Sequence, residues 1–127
     1  MRHVSSKSNV GLCAGPTGSG NNALGNQALF ANTTGTNNNA LGNQALLTNS
    51  TGSYNNAIGF QALDSNNGTG TIAIGYNAAE NAVGVDRGIF IGYDIDAFST
   101  TADDVLNIGN LIFGTGVDGT NTTYSTG

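Results

Sequence analysis

"NNALGNQALFANTTGT" (Asn21–Thr36) is followed, after a single residue, by "NNALGNQALLTNSTGS" (Asn38–Ser53). Both copies are dense in Asn, Gly and Thr, and neither carries a charged side chain. Self-similarity at a fixed period is the signature of a repeat architecture and takes precedence over any local propensity. The glycine that follows the small-plus-aliphatic pair recurs as Gly25, Gly42, Gly59, Gly75, Gly92 and Gly109, at spacings of 17, 17, 16, 17 and 17 residues. A degenerate further unit begins at "NVG" (Asn9–Gly11), within an N-terminal lead-in over residues 1–19. The repeats fill residues 20–110, and residues 111–127 form a C-terminal connector.

Aligning the units on these glycines assigns each position a task. The residue before the glycine is always a branched aliphatic: Leu24, Leu41, Ile58, Ile74, Ile91, Ile108. One position earlier stand Ala23, Ala40, Ala57 and Ala73, then Phe90 and Asn107. Neighbouring residues on a strand point to opposite faces, so an aliphatic beside a tiny residue predicts a strand packed on both sides. A second short strand is expected at Ala28, Ala45, Ala62 and Ala78, with Leu29, Leu46 and Leu63 beside the first three. Clusters such as "NTTGT" and "NSTGS" then turn the backbone. Gly and Asn are too frequent for helix interiors, and no segment keeps an apolar stripe at helical spacing.

The pattern predicts an all-β chain: a parallel β-solenoid, or β-roll, of about six coils of 16–17 residues, with the six aliphatics in one continuous spine. One coil cannot bury enough surface to stand alone, so each depends on the coils above and below it. Residues at equivalent positions lie about 5 Å apart in successive coils, where like charges repel. This accounts for the neutral side chains, and Asn22, Asn39 and Asn56 can form an amide ladder instead. A slender roll of this composition leaves one packed face wet, which association into a homotrimer would cover.

The totals bound the function. Charged residues make up 9% of 127, and the net charge is −5. All eight carboxylates (Asp64, Glu80, Asp86, Asp94, Asp96, Asp103, Asp104, Asp118) lie in the second half, with Arg87. No basic patch exists to neutralise phosphates, which argues against nucleic acid. No apolar run is long enough to span a bilayer, and "MRHVSSKSNVG" has no hydrophobic signal region. Export without a cleaved N-terminal signal, or an internal fragment of a longer chain, are the two readings of that start. The lone Cys13 cannot form an intrachain disulfide and reads as a small packed residue, with a trimer-linking or reactive thiol as the alternative.

"NNALGNQAL", "NNAIGFQAL" and "TIAIGYNAA" resemble the head repeats of trimeric autotransporter adhesins of the YadA-like class. That resemblance implies left-handed parallel β-rolls in tight trimers. "NSTGSYNNAIGFQAL" (Asn49–Leu63) is also similar to segments of phage tail fibres and of predatory-bacterial surface fibres. The tail "DDVLNIGNLIFGTGVDGTNTTYSTG" resembles the segment that precedes an endosialidase-type chaperone domain in trimeric fibres. The 17-residue coil is longer than the shortest adhesin version, so the turns are expected to bulge outward.

Catalytic and ligand motifs fail on their context. "GPTGSG" (Gly15–Gly20) lacks the Lys and the helix of a phosphate loop, and "GTGVDG" (Gly114–Gly119) has no helix after it. His3 is the only histidine, so no His-based triad or zinc site can be completed. Asp94 and Asp96 flank Ile95 at strand spacing, with Asp86, Asp103 and Asp104 near. Calcium needs six to eight oxygens, and the set reads instead as a solvated acidic rim. The sequons at Asn32, Asn49, Asn67 and Asn121 are chance matches in so much Asn and Thr. Phe60, Tyr76 and Tyr93 are expected to stack as a ladder, with a sugar-stacking surface as the alternative reading.

The expected function is that of a structural, adhesive fibre segment. It is extracellular, on a cell-surface fibre or virion tail fibre, with no enzymatic activity, cofactor or metal. Turns at 31–38, 48–55 and 64–71, with Asn32, Thr33, Asn49, Ser50, Asn66 and Asn67, are the expected contacts to a cell-surface glycan or protein receptor. The alternatives are a filament polymerising end to end without a ligand and a fibre-borne polysaccharide depolymerase, for which a narrow roll lacks the concave site.

Overall fold

The computed structural model describes residues 18–97, 103–109 and 112–114. Within them the chain is all-β, a parallel β-solenoid with no helix. Seven three-residue strands form one sheet in chain order. They are β1 (Asn22–Leu24), β2 (Asn39–Leu41), β3 (Asn56–Ile58), β4 (Ile72–Ile74), β5 (Ile89–Ile91), β6 (Leu106–Ile108) and β7 (Ile112–Gly114). β1 to β6 pair parallel and in register, Leu24 on Leu41, Leu41 on Ile58, and so on to Ile108. Five windings therefore link the six parallel strands, while β7, in the stretch expected to be a connector, pairs antiparallel with β6.

The ladder of backbone hydrogen bonds continues around the whole winding. Asn22 N–H donates to the Asn38 carbonyl at 2.8 Å, Gly42 to Leu24 at 2.8 Å, Gln44 to Asn26 at 2.8 Å and Leu29 to Ala45 at 3.0 Å. Buried backbone groups must be paired, and here the next coil supplies the partner even where the chain is not extended.

The second strand expected at Ala28–Leu29 and its counterparts is a run of turns instead. Gln27, Leu29, Gln44, Leu46, Gln61, Leu63, Asn77 and Ala79 all adopt left-handed backbone with φ between 49° and 59°. A left-handed residue at every second position bends the chain, so that Ala28 and Leu29, adjacent in sequence, both point into the roll and are fully buried. A strand would have sent one of them outward. Non-glycine residues adopt this conformation at a cost of about 1–2 kcal/mol each, offset here by burial of the leucine and by the inter-coil bond of its own N–H.

In the single chain one sheet face is packed and the other is left to solvent. Ala40, Ala57, Ala73 and Phe90 point inward and are buried, together with Leu29, Leu46, Leu63 and Ile95. The spine residues Leu24, Leu41, Ile58, Ile74, Ile91 and Ile108 stand in register but face outward, and all except the half-buried Ile58 are between 37% and 47% exposed. The interior is too narrow for two rows of large aliphatics. The turn leucines take it, and the strand must present its smaller residue inward.

The core changes character along the axis. Coils one to three are filled by Ala, Leu and buried Asn; further along, Val85, Phe90, Ile95 and Val105 replace them. The exchange is compensated locally. Ala79 stands where Leu63 stood one coil earlier, and Gly88 takes a former Asn position because a Cβ there would lie 2.5 Å from the Phe90 ring and 2.9 Å from Val85.

Candidate functional site

The glycines set the shape of every candidate surface. Gly25, Gly42, Gly59 and Gly75 have φ between 136° and 147°, and a Cβ on each would run into the carbonyl of the next glycine in the column. Gly92 has φ 151° and Gly109 φ 58°, so the column turns the chain off the sheet at every level. A second column was missed by the sequence reading: Gly18, Gly35, Gly52 and Gly68, where a Cβ would again strike the carbonyl of the coil below. Its spacings of 17, 17 and 16 were the available signal.

The polar turns divide into inward and outward residues, which corrects half of the expected contact set. Asn32, Asn49 and Asn66 are buried rather than presented. The Nδ2 groups of Asn32 and Asn49 each donate to a glycine carbonyl three residues on at 3.0 Å, and Asn66 Oδ1 accepts from Gly68 N–H at 2.9 Å and Val85 N–H at 3.1 Å. A tight turn leaves carbonyls and amides pointing into the roll, and an inward Asn side chain satisfies them. Thr33 and Asn67 are exposed and Ser50 is half-buried. Ser50 N–H and Oγ both donate to Asn67 Oδ1, at 2.6 and 2.9 Å, so the outward residues are themselves tied coil to coil.

A further buried polar ladder was also missed. Asn38 N–H donates to Asn21 Oδ1, Asn55 N–H to Asn38 Oδ1 and Thr71 N–H to Asn55 Oδ1, each at 2.9 Å. The Nδ2 groups of Asn38 and Asn55 donate to Gly52 and Gly68 carbonyls at 2.8 and 2.7 Å. This column directly precedes Asn22, Asn39 and Asn56 in the sequence and shares their period, which was the available signal. Of the expected outer ladder, Asn39 Nδ2 donates to Asn56 Oδ1 at 2.8 Å.

The outward sheet face carries a row of exposed and half-buried aliphatic side chains. Beside the Leu24-to-Ile108 ladder runs a second one of Asn22, Asn39, Asn56, Ile72, Ile89 and Leu106, polar in the first three strands and aliphatic in the last three. Across the glycine column, Phe60, Tyr76 and Tyr93 stack at centroid separations of 5.2 and 5.0 Å with interplanar angles of 9° and 12°. Ring faces that cover one another are not free to lie on a sugar.

The carboxylates serve the solenoid. Asp94 and Asp96 do not sit on a strand; Asp94 is exposed with φ 51°, and Asp96 accepts from Asn81 N–H and Nδ2 at 3.0 Å each. Asp86 Oδ1 accepts from Thr69 N–H at 2.6 Å, Asp103 Oδ1 from Asp86 N–H at 3.0 Å, and Asp104 pairs with Arg87 at 2.6 Å. Burial, and secondarily the charge of Glu80, holds the Asp64 carboxyl above its ordinary range. Among the described residues no cluster of three or more His, Cys, Asp or Glu could hold a metal, and no helix is long and apolar enough to cross a membrane. A cavity of about 460 Å³ is bounded by residues 21–24 and 39–41, amides and aliphatic carbons without a titratable group. His3, Cys13, Asn121 and most of "GTGVDG" lie outside the described residues. No protein-family model, curated protein or solved structure matches this chain.

Proposed function

We propose that this chain is a structural segment of an extracellular trimeric fibre, which holds polar turns rigidly outward for attachment to a cell surface. The observation that carries the reading is the outward sheet face. Its in-register row from Leu24 to Ile108, uncharged over six strands and joined by Ile72, Ile89 and Leu106 in the last three, is exposed or half-buried in the single chain. Monomeric proteins rarely leave so continuous an apolar strip in water, and a strip of this kind is suited to self-association. Three copies around one axis would bury all three strips in a closed arrangement. The turns bearing Thr33, Ser50 and Asn67 would then remain on the periphery, available to a glycan or protein receptor. Continuation of the parallel ladder by a further copy beyond β6 is opposed by β7, which occupies that edge in the antiparallel sense.

Solution mass tests the assembly. Light scattering should give three times 12.8 kDa, and Ile74→Asp with Ile91→Asp should return a monomer. A wild-type chain that stays monomeric at high concentration overturns the trimer. Growth without limit points to the end-to-end filament instead. Attachment is tested by binding of the trimer to whole cells and glycan arrays, which substitutions at Thr33, Ser50 and Asn67 should weaken; release of sugar from a polysaccharide panel would move the assignment to a depolymerase.

A further inference from the structure

The column that follows the glycines reads Asn26, Asn43, Phe60, Tyr76, Tyr93. Two tyrosines thus occupy one position in consecutive coils, and the backbone clamps both. Gly92 N–H donates to the Ile74 carbonyl at 2.9 Å and Asp94 N–H to the Tyr76 carbonyl at 2.8 Å, one bond on either side of the pair. The rings are near-parallel with centroids 5.0 Å apart. Tyr76 is 44% and Tyr93 72% exposed, so both phenols are open to a dissolved oxidant. Tyr54, 64% exposed, has no such neighbour, because its column continues as Asn37 above and Gly70 below.

We propose that Tyr76 and Tyr93 form an oxidative modification site, which a one-electron oxidant such as a haem peroxidase with hydrogen peroxide converts to an intrachain dityrosine. Each phenol loses one electron and its hydroxyl proton. The two tyrosyl radicals join through ring carbons ortho to the oxygens, and the hydrogens on those carbons move to the oxygens to restore both phenols. One carbon–carbon bond forms, the chain loses two hydrogen atoms, and one peroxide is reduced to two waters. Holding the two rings at one separation replaces a bimolecular encounter of radicals by an intramolecular one. Phe60 stacks on the other face of Tyr76 but has no phenol, so within this stack of three rings the product is confined to a single pair. The bond would staple the fourth and fifth windings, where the core changes from Leu and Asn to Val and Phe.

The test uses the full chain with peroxidase and hydrogen peroxide. Denaturing mass spectrometry should show a monomer lighter by two hydrogens. Cleavage before aspartate should yield residues 64–85 joined to 86–93, pieces that hold Tyr76 and Tyr93 as their sole tyrosines. The yield should be about tenfold higher for the folded chain than for the chain in urea. Tyr76→Phe should abolish the product and Tyr54→Phe should leave it unchanged. Coupling only between chains, coupling that maps to Tyr54 or Tyr124 in place of the Tyr76–Tyr93 pair, or equal yields from folded and unfolded protein would overturn the proposal.

Discussion

Gly42 and Gly84 are both glycines on the winding, and the structure treats them differently. At Gly42 the backbone has φ 143° and a Cβ would collide with the Gly59 carbonyl, whereas at Gly84 nothing lies within 4 Å. Gly42→Ala should therefore lower stability by more than about 2 kcal/mol, since it combines a strained backbone with a clash between coils. Gly84→Ala should stay within about 0.5 kcal/mol. Paired urea titrations decide the matter, and equal losses for the two variants would contradict the close approach. The contrast between Asn22 and Asn21 has the same origin: one amide faces solvent and its neighbour lies in the buried column, a difference of one residue on an alternating strand.

At the scale of an element, each winding is a three-residue strand and a string of corners, and an ionisable group on a corner meets its counterpart one coil away. Asp64 and Glu80 are such counterparts. Because burial and the Glu80 charge raise the folded-state pKa of Asp64 above 3.8, the folded chain binds this proton more tightly than the unfolded chain. The site therefore costs stability at neutral pH, and that cost is relieved as pH falls through the raised value toward 3.8. Wild type minus Asp64→Asn, compared by denaturant titration across mildly acidic pH, should show the wild type losing stability relative to the variant as pH rises through that window, then levelling off. A difference that does not change with pH would rule this out. The turn segments were misread as strands because Ala and Leu propensities do not reveal left-handed backbone. Such a conformation at Leu29 or Leu46 holds only because the next coil supplies the hydrogen-bond partners.

For the whole molecule, contacts run between neighbouring windings, so stability is close to a sum over coils and their interfaces. Removing residues 35–51 deletes one complete 17-residue period and joins Thr34 to Gly52. The shortened chain should retain its β circular dichroism, with a smaller denaturant m-value in keeping with less surface exposed on unfolding. Removing only residues 35–42 should abolish the fold, because every later column would be thrown out of register. Equal tolerance of the two deletions would refute stacking by period.

Period, parallel stacking and the in-register row from Leu24 to Ile108 were determined by the sequence alone, because a repeat that buries its surface only against its own copies has few other ways to pack. Which side of each strand faces inward was decided only in three dimensions. Alternation separates Ala from Leu without saying which is buried; the answer came from the turn leucines, whose left-handed backbone sends them into an interior with room for one large row. The same competition for a narrow lumen drew Asn32, Asn49 and Asn66 inward and left the Leu and Ile ladder on the outside. Volume inside a closed winding is a property of all its residues at once, and no local pattern contains it.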